Sequence, residues 1–269
     1  MSYKIGFIGA GNMGGCLISA AVQTTSAKDI CVFDKDAQKT KYCKNTYGVT
    51  ADSLETVLDS EIIVIGVKPQ GYKGLVSEIK DKVNGRRDEF VIVSMAAGIT
   101  IDSLCEMFGK RLPVIRIMPN MACGTNEGII VYDISECVSG KQENTFKAVF
   151  ERAGLIDRLD ECLIDAACAV TGCGPAFAYM FIEALADGAV SCGLPRDKAL
   201  KYSAQMLKGA GATVLCGSHP EDLKDKVCSP GGSTIEGVIA LEKNGFRGSV
   251  NSAVISAYNK NIELGRKNK

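Results

Sequence analysis

Short, continuous apolar runs alternate with amphipathic stretches along the first 160 residues. The runs predict strands at residues 4–8, 30–33, 62–67, 90–94, 114–118 and 128–132. Between them, apolar positions recur with helical spacing near residues 13–24, 36–46, 53–58, 70–83, 101–108 and 141–152. Continuous apolar strands that alternate with helices are typical of a parallel sheet covered on both faces. The pattern therefore predicts an α/β fold with a Rossmann-type doubly wound sheet.

The pattern changes after about residue 160. Residues 163–192 are rich in alanine and apolar nearly all round, and further helices are predicted over residues 197–215, 234–244 and 247–264. The change predicts two domains, a dinucleotide-binding domain at 1–162 and an all-helical domain at 163–269. A helix that is apolar on every side should be buried on most sides, so segment 163–192 also predicts contact with a second subunit.

The first strand leads into a glycine-rich turn, since residues 5–15 read IGFIGAGNMGG. Gly9 permits the tight turn, Gly11 lets the backbone approach a pyrophosphate, and Gly14 lets the helix pack on the strand. The second strand ends at Asp34, the usual place for an acid on a ribose hydroxyl. The motif predicts dinucleotide binding. Its predicted residues are Gly9, Ala10, Gly11, Asn12, Met13, Gly14, Asp34 and Lys35.

Three later segments follow strands and should lie at the same edge of the sheet. Ligands of doubly wound sheets bind outside the carboxyl ends of the strands. Each segment alone is an ordinary turn, but together they predict the wall of a cofactor crevice. The residues concerned are Val67, Lys68, Pro69, Ala96, Ala97, Gly98 and Asn120.

A second glycine-rich segment, SPGGST at residues 229–234, precedes a predicted helix. Two glycines and the helix start would form a nest of backbone N–H groups suited to a carboxylate. Taken alone, the segment is more typical of a Ser or Thr helix cap. The single histidine, His219, lies in a polar loop and is interpreted as a loop residue rather than a catalyst.

Composition narrows the class of protein. The 269 residues carry no formal net charge. The composition therefore lacks the excess of basic residues that is typical of proteins that bind nucleic acids or acidic membranes. No unbroken apolar run reaches membrane-spanning length, and a strand that starts at residue 4 leaves no room for a signal peptide. Twelve scattered cysteines without a CxxC pair exclude the usual zinc spacings, so no metal is expected. Buried thiols in a reducing cytoplasm are the predicted explanation.

These motifs together resemble the pyrroline-5-carboxylate reductase family, and the resemblance covers essentially the whole chain. The matching segments are GFIGAGNMGG at 6–15, VKPQ at 67–70, AAGI at 96–99, RIMPN at 116–120, TGCGPAF at 171–177, EALADGAVSCGLPRDKA at 183–199 and LKDKVCSPGGSTIEG at 223–237. This family often has Ser where Cys173 stands. Members that prefer a 2′-phosphate often carry a small or basic residue at the position of Asp34.

The resemblance implies hydride transfer from NADH or NADPH to the C=N carbon of 1-pyrroline-5-carboxylate, giving L-proline. It implies that the Thr234 hydroxyl contacts the imine nitrogen and that nearby backbone N–H groups hold the carboxylate. The substrate-binding residues implied are Val227, Ser229, Pro230, Gly231, Gly232, Ser233 and Thr234. It further implies a homodimer or larger homo-oligomer, whose site combines the cofactor domain of one subunit with helices of its partner.

Two other functions remain open at this point. A β-hydroxyacid dehydrogenase-like enzyme would carry a catalytic lysine on the long interdomain helix, but residues 163–192 contain no lysine. A non-catalytic dinucleotide-binding regulator would share the fold. Among cofactors NADH is modestly favoured, because Asp34 would repel a 2′-phosphate, although Lys35 and Lys39 lie close enough in sequence to offset that repulsion.

Overall fold

The computed structural model describes residues 3–267, and this part of the chain contains eight strands and twelve α-helices. The strands are β1 (Ile5–Ile8), β2 (Ile30–Phe33), β3 (Thr50–Ala51), β4 (Ile62–Ile65), β5 (Val91–Ser94), β6 (Val114–Pro119), β7 (Gly128–Ile134) and β8 (Gly154–Arg158). The helices are α1 (Asn12–Ala21), α2 (Ala37–Tyr47), α3 (Leu54–Val57), α4 (Tyr72–Gly85), α5 (Ile101–Phe108), α6 (Gly140–Phe150), α7 (Ile164–Thr171), α8 (Gly174–Ser191), α9 (Arg196–Leu215), α10 (Pro220–Val227), α11 (Ser233–Lys243) and α12 (Phe246–Lys267).

The strands form one sheet in the order β3-β2-β1-β4-β5-β6-β7-β8. The chain runs outwards from β1 through β2 to β3, and then returns to continue on the other side of β1 with β4. Strands β1 to β6 are parallel. This arrangement confirms the predicted doubly wound sheet, and it places the topological switch point, where ligands bind in such sheets, between β1 and β4.

The prediction of a wholly parallel sheet is wrong at β7, which is antiparallel to β6. Only residues 120–127 connect these two strands, and they form a short 3-10 turn. A parallel connection needs a crossover of about a dozen residues or more, so this link can only return the chain in the opposite direction. The two outer strands were not predicted, since β3 has only two residues and β8 contains no buried residue.

Both faces of the sheet are covered by helices, as continuous apolar strands require. Alternate residues of the strands, such as Phe7 and Ile117, pack in one buried cluster with α1 and α6. The opposite set, such as Ile63 and Ile65, packs in a second cluster with α3, α4 and α5. The period-two alternation within each strand therefore divides the core between the two faces.

Two compact units make up the chain. Within the described residues, 3–172 together with 258–267 form the first unit, and Cys173–Ala257 forms the second. Among the described residues every strand lies in the first unit and none follows Arg158. In the second unit α8 packs against α9, and the Phe181 and Phe246 rings lie 5.7 Å apart. The division at residue 162 stays a prediction about domain function.

The apolar segment 163–192 was predicted to form one helix, but the structure divides it into two. It breaks at Gly172 and Cys173 into α7 and α8, and the large side chains of Tyr179 and Met180 are 63% and 70% exposed. By length and composition, Glu161–Ser191 is the one candidate membrane span in the described residues. Charged residues such as Asp165 and Glu183 interrupt its apolar sequence, so it contains no unbroken apolar run of that length. Helix α10 was also missed, because its sequence is dominated by charged residues.

Candidate active site

The turn between β1 and α1 has the geometry that its glycines predict. Gly9 has a φ of +104°, and a Cβ atom there would lie 2.8 Å from the carbonyl oxygen of Gly66. A Cβ atom on Gly14 would overlap the carbonyl oxygen of Gly9, so this residue allows the close packing of helix on strand. At Gly11, by contrast, a Cβ atom would meet nothing within 4 Å. The space in front of Gly11 is therefore open to a ligand.

Helix α1 begins with its backbone donors available. Gly11 is the N-cap, no side chain caps the helix, and its first turn holds no acidic residue. Uncapped N–H groups and the positive end of the helix dipole favour an anion at this position. Together with the open space at Gly11, they suit the pyrophosphate of a dinucleotide.

A cavity of about 240 Å³ lies between the ends of β1, β2 and β4. It brings together the predicted residues Gly9, Asp34, Lys35 and Val67, which come from three separate stretches of the sequence. Its remaining walls are mostly apolar, which suits the flat face of an adenine. A second cavity, of about 550 Å³, is lined by residues on the other side of the turn, among them Ala10, Gly11 and Asn12.

Asp34 has a role that the sequence did not reveal. Its Oδ2 atom accepts a 2.8 Å hydrogen bond from the backbone N–H of Ala10, and Oδ1 accepts one of 2.9 Å from Asp36. The Lys39 ammonium lies 3.9 Å from Oδ1. The carboxylate therefore ties the glycine turn to the end of β2 while it also lines the cavity. A local motif search cannot detect a bond between residues 24 positions apart.

The other predicted cofactor residues lie at the carboxyl ends of the strands, as expected. Lys68 is exposed just before the short 3-10 turn that begins at Pro69, and Ala96 is buried directly after β5. Gly98 has a φ of +75°, which a residue with a side chain rarely adopts. Ala97 packs against an apolar cluster between β6 and α7. Met13 is half-buried in the first turn of α1.

Asn120 differs from this group because its amide is already engaged within the protein. Its Oδ1 accepts the N–H of Ile129 at 3.3 Å, and its Nδ2 donates to the carbonyl of Thr171 at 3.1 Å. Asn120 thereby joins the end of β6 to the start of β7 and to the last residue of α7. These contacts assign Asn120 a structural role beside any contact with a cofactor.

Arg116 is a buried charge that sequence reasoning did not single out. Only 2% exposed, it donates to Glu161 and Asp165, each at 3.2 Å. Glu161 also accepts the backbone N–H of Ile101 at 2.7 Å. A buried guanidinium needs such partners, because an unpaired charge in a protein interior is costly. The network fixes β6, the start of α5 and the segment that leads into α7.

The SPGGST segment forms a tight turn followed by a helix. The N–H of Gly232 donates to the carbonyl of Ser229 at 3.0 Å, and Gly231 has a φ of +67°. Pro followed by a glycine with positive φ is typical of a type II turn. Gly232 is the N-cap of α11 and no side chain caps this helix. The Ser or Thr cap expected from the sequence alone is therefore not formed, and the first donors of α11 stay available to a ligand.

Thr234 and Val227 stand on either side of this turn. Thr234 is exposed in the first turn of α11, and Val227, 65% exposed, ends α10. Helix α10 is tied down through Glu221, which accepts from Lys224 at 2.6 Å and pairs with Arg247 of α12 at 2.8 Å. Hydrogen bonds from these two cations lower the pKa of Glu221 to about 2. His219 caps α10 by accepting the N–H of Glu221, in keeping with its interpretation as a loop residue.

Comparison with known proteins identifies the family. Residues 161–264 match the family model described as pyrroline-5-carboxylate reductase dimerisation, and residues 4–98 match an NADP oxidoreductase, coenzyme F420-dependent, model. Pyrroline-5-carboxylate reductase 3 of Danio rerio is 39% identical over 99% of this chain and 93% of that protein. The chain belongs to the pyrroline-5-carboxylate reductase family. The resemblance inferred from the motifs is confirmed.

Other members of the family match at similar levels. The pyrroline-5-carboxylate reductase of Escherichia coli is 35% identical over 99% of this chain and all of that protein. The crystal structure of the Plasmodium falciparum pyrroline carboxylate reductase, solved with NADP bound, is 30% identical and superposes with a TM-score of 0.87 over 98% of both chains. The match extends through the sheet and the helices, so it confirms a Rossmann-type α/β region followed by a helical region.

Proposed function

We propose that this protein is a pyrroline-5-carboxylate reductase, which reduces 1-pyrroline-5-carboxylate to L-proline with NADH or NADPH in the last step of proline synthesis. The observation that carries the proposal is the uncapped start of α11 behind the SPGGST turn. A Rossmann-type sheet with a glycine turn serves many dehydrogenases. A nest of backbone donors next to an exposed threonine suits a small imino acid with a carboxylate.

The first unit supplies the cofactor site. N–H groups at the start of α1 meet the pyrophosphate, and the cavity beside Asp34 and Lys35 receives the adenosine. Val67, Lys68 and Pro69 form one side of the crevice, and Ala96, Ala97 and Gly98 form the next. When bound, the nicotinamide supplies the hydride that reduces the C=N carbon.

The second unit supplies the substrate site. N–H groups of Gly231, Gly232, Ser233 and Thr234 hold the substrate carboxylate without a basic side chain. The Thr234 hydroxyl donates a hydrogen bond to the imine nitrogen, which makes the neighbouring carbon more electrophilic. Ser229 and Pro230 shape the turn, and Val227 offers an apolar contact. Most of the rate enhancement then comes from positioning and oriented dipoles.

Function further requires a homo-oligomer. We assign cofactor binding to residues 1–162, and substrate binding and dimerisation to residues 163–269, with each active site shared by two subunits. The exposed apolar side chains of α8 support this assignment, because patches of that kind are rarely left in water. Glu161–Ser191 accordingly packs in the dimer rather than in a membrane. We place the enzyme in the cytoplasm, as its cysteine-rich composition suggests, with no nucleic-acid partner.

Proline formation by the purified full chain tests the proposal. The assay follows oxidation of NADH or NADPH at 340 nm and measures L-proline as the product. We expect turnover with both cofactors and a modest preference for NADH. Binding of NAD(P)H without turnover would instead support a dinucleotide-binding regulator. Oxidation of a β-hydroxyacid without reduction of the imine would support the β-hydroxyacid dehydrogenase alternative.

A further inference from the structure

Tyr72, the first residue of α4, places a phenol in the centre of the core. Its side chain is fully buried within the apolar cluster formed by α3, α4 and α5. Its hydroxyl donates to the carbonyl of Ile65 at 3.0 Å and lies 3.0 Å from the Oγ of Ser94. Because the phenol proton is used on Ile65, the Ser94 hydroxyl is the donor in the second bond.

These two partners lie directly below the cofactor crevice. Ile65 and Ser94 are the last residues of β4 and β5 and stand opposite each other in the sheet. The next residues form two loops, 66–69 and 95–98, which we term the cofactor loops. Burial raises the pKa of Tyr72, so the phenol stays protonated.

We propose that Tyr72 is a positioning residue, whose hydroxyl fixes the two cofactor loops relative to each other and so prepares the crevice for the dinucleotide. The inference rests on the proposed function, which places a nicotinamide cofactor between these loops. A loop that is already held in its binding conformation loses less entropy when the ligand binds. Tyr72 is not itself part of the lining of the 240 Å³ cavity and is not a predicted substrate residue, so we expect its loss to change cofactor affinity rather than the chemical step.

The chain offers a matched control in Tyr132. This tyrosine is also almost fully buried, and its hydroxyl donates to Glu143 of α6 at 2.6 Å. None of the predicted site residues accepts or donates in that bond. Replacing either tyrosine with phenylalanine removes one oxygen atom and leaves a partner without its hydrogen bond. Both variants should therefore lose stability, whereas only Tyr72→Phe should change the cofactor loops.

The test measures the dissociation constants of NADH and NADPH by fluorescence titration of the full-length oligomer. We expect Tyr72→Phe to weaken binding about three- to tenfold, the equivalent of about one net hydrogen bond. The KM for the cofactor should rise in parallel, while kcat at saturating cofactor stays at the wild-type value. Tyr132→Phe should leave the affinity unchanged even though it lowers the melting temperature.

Ser94→Ala provides a second, independent variant. It removes the donor to the phenol but retains the bond to Ile65, so a smaller loss of affinity is expected. The double variant should bind no more weakly than Tyr72→Phe alone, because both changes act through one contact. If Tyr72→Phe does not fold, Ser94→Ala compared with Tyr132→Phe still decides the question.

If Tyr72→Phe and Ser94→Ala bind NADH and NADPH with the same affinity as the control Tyr132→Phe, the inference is overturned. That result would leave the proposed function intact. A fall in kcat at saturating cofactor equal to the rise in KM would also overturn it, since that result indicates general damage. Absence of NADH and NADPH binding by the wild-type protein would overturn both proposals.

Discussion

The sheet with its covering helices buries most of its apolar side chains, whereas the second unit leaves many of its apolar side chains exposed. Nearly every core residue lies between Ile5 and Ala169, on the strands and on the helices of the same chain that cover them. In the second unit only Ala186, Ala199 and Ser203 are buried. Its exposed large apolar side chains are Tyr179, Met180, Leu200, Tyr202, Met206, Val214, Leu215, Val227, Ile239, Leu241, Phe246, Val250 and Ile255.

This difference indicates that one region completes its own core and the other requires a partner. Short buried strands need covering on two faces, which the helices between them provide. Helices α8 and α9 have apolar side chains on more faces than one chain can cover. The cofactor site that we propose thus lies on a self-sufficient region, and the proposed substrate loop lies on a region that association would complete.

The largest effect is expected from a charge in the exposed apolar surface of α8. Met180→Asp should convert the oligomer to a monomer and abolish most activity, because an unpaired buried carboxylate costs several kcal/mol. Light scattering coupled to size-exclusion chromatography measures the assembly state. Leu155→Asp, at an exposed position on the edge strand β8, is the control and should leave the assembly unchanged. An oligomer that survives Met180→Asp would locate the interface elsewhere.

Next in size is the loss of the hydroxyl in the substrate loop. Thr234→Ala should lower kcat by about 30- to 1000-fold, as expected when a hydrogen bond worth roughly 2–4 kcal/mol in the transition state is removed. Cofactor affinity should hardly change, because Thr234 belongs to the second unit. Thr234→Ser retains a hydroxyl and should recover much of the rate. Wild-type turnover by Thr234→Ala would remove this residue from the mechanism.

The glycine turn permits the converse experiment in the first unit. Gly11→Val should weaken dinucleotide binding by about a hundredfold or more, because its side chain would occupy the open space intended for the pyrophosphate. The fold and the assembly should be retained, since a Cβ atom at Gly11 meets no protein atom within 4 Å. Titration with NADH, together with the melting temperature, measures both properties. Unchanged affinity would show that the phosphates bind away from this turn.

A smaller effect is expected at Asp34, where cofactor choice and local structure are combined. Asp34→Asn removes the charge but retains an oxygen that can accept the Ala10 N–H. The ratio of kcat/KM for NADPH over NADH should rise several-fold, in line with the loss of about 1 kcal/mol of repulsion. Asp34→Ala should in addition weaken both cofactors, because the turn loses its tie to β2. A ratio that neither variant changes would show that Asp34 does not face the ribose.

Much of this division could be predicted from the sequence, and the misses have physical reasons. Buried parallel strands leave an unmistakable apolar run, so six strands were located within a few residues of their observed ends. The direction of β7 depends on the length of the preceding link, and the edge strands β3 and β8 contain no buried residues that would produce a long apolar run. Segment 163–192 indicated a partner subunit. Its alanine-rich sequence did not indicate the break at Gly172.

In the candidate site, too, the sequence predicted local features but not contacts between distant residues. The two glycine-rich segments were visible because their function depends on local backbone conformation. The contacts of Asp34 with Ala10 and of Asn120 with Thr171 join residues that are distant in sequence. Tyr72 was also invisible, since an aromatic residue at the start of an amphipathic helix is typical of any core. Such contacts depend on the tertiary fold and not on a motif.

We propose that each active site joins the cofactor region of one subunit to the substrate loop of its partner, and mixing two inactive variants tests this arrangement most directly. Gly11→Val and Thr234→Ala should each be nearly inactive alone, but a mixed dimer would hold one site with both defects and one site with neither. Subunits unfolded and refolded together in equal amounts should recover roughly a quarter of wild-type proline formation. No recovery from mixed dimers whose formation has been verified would contradict the account, because each site would then be built from a single chain.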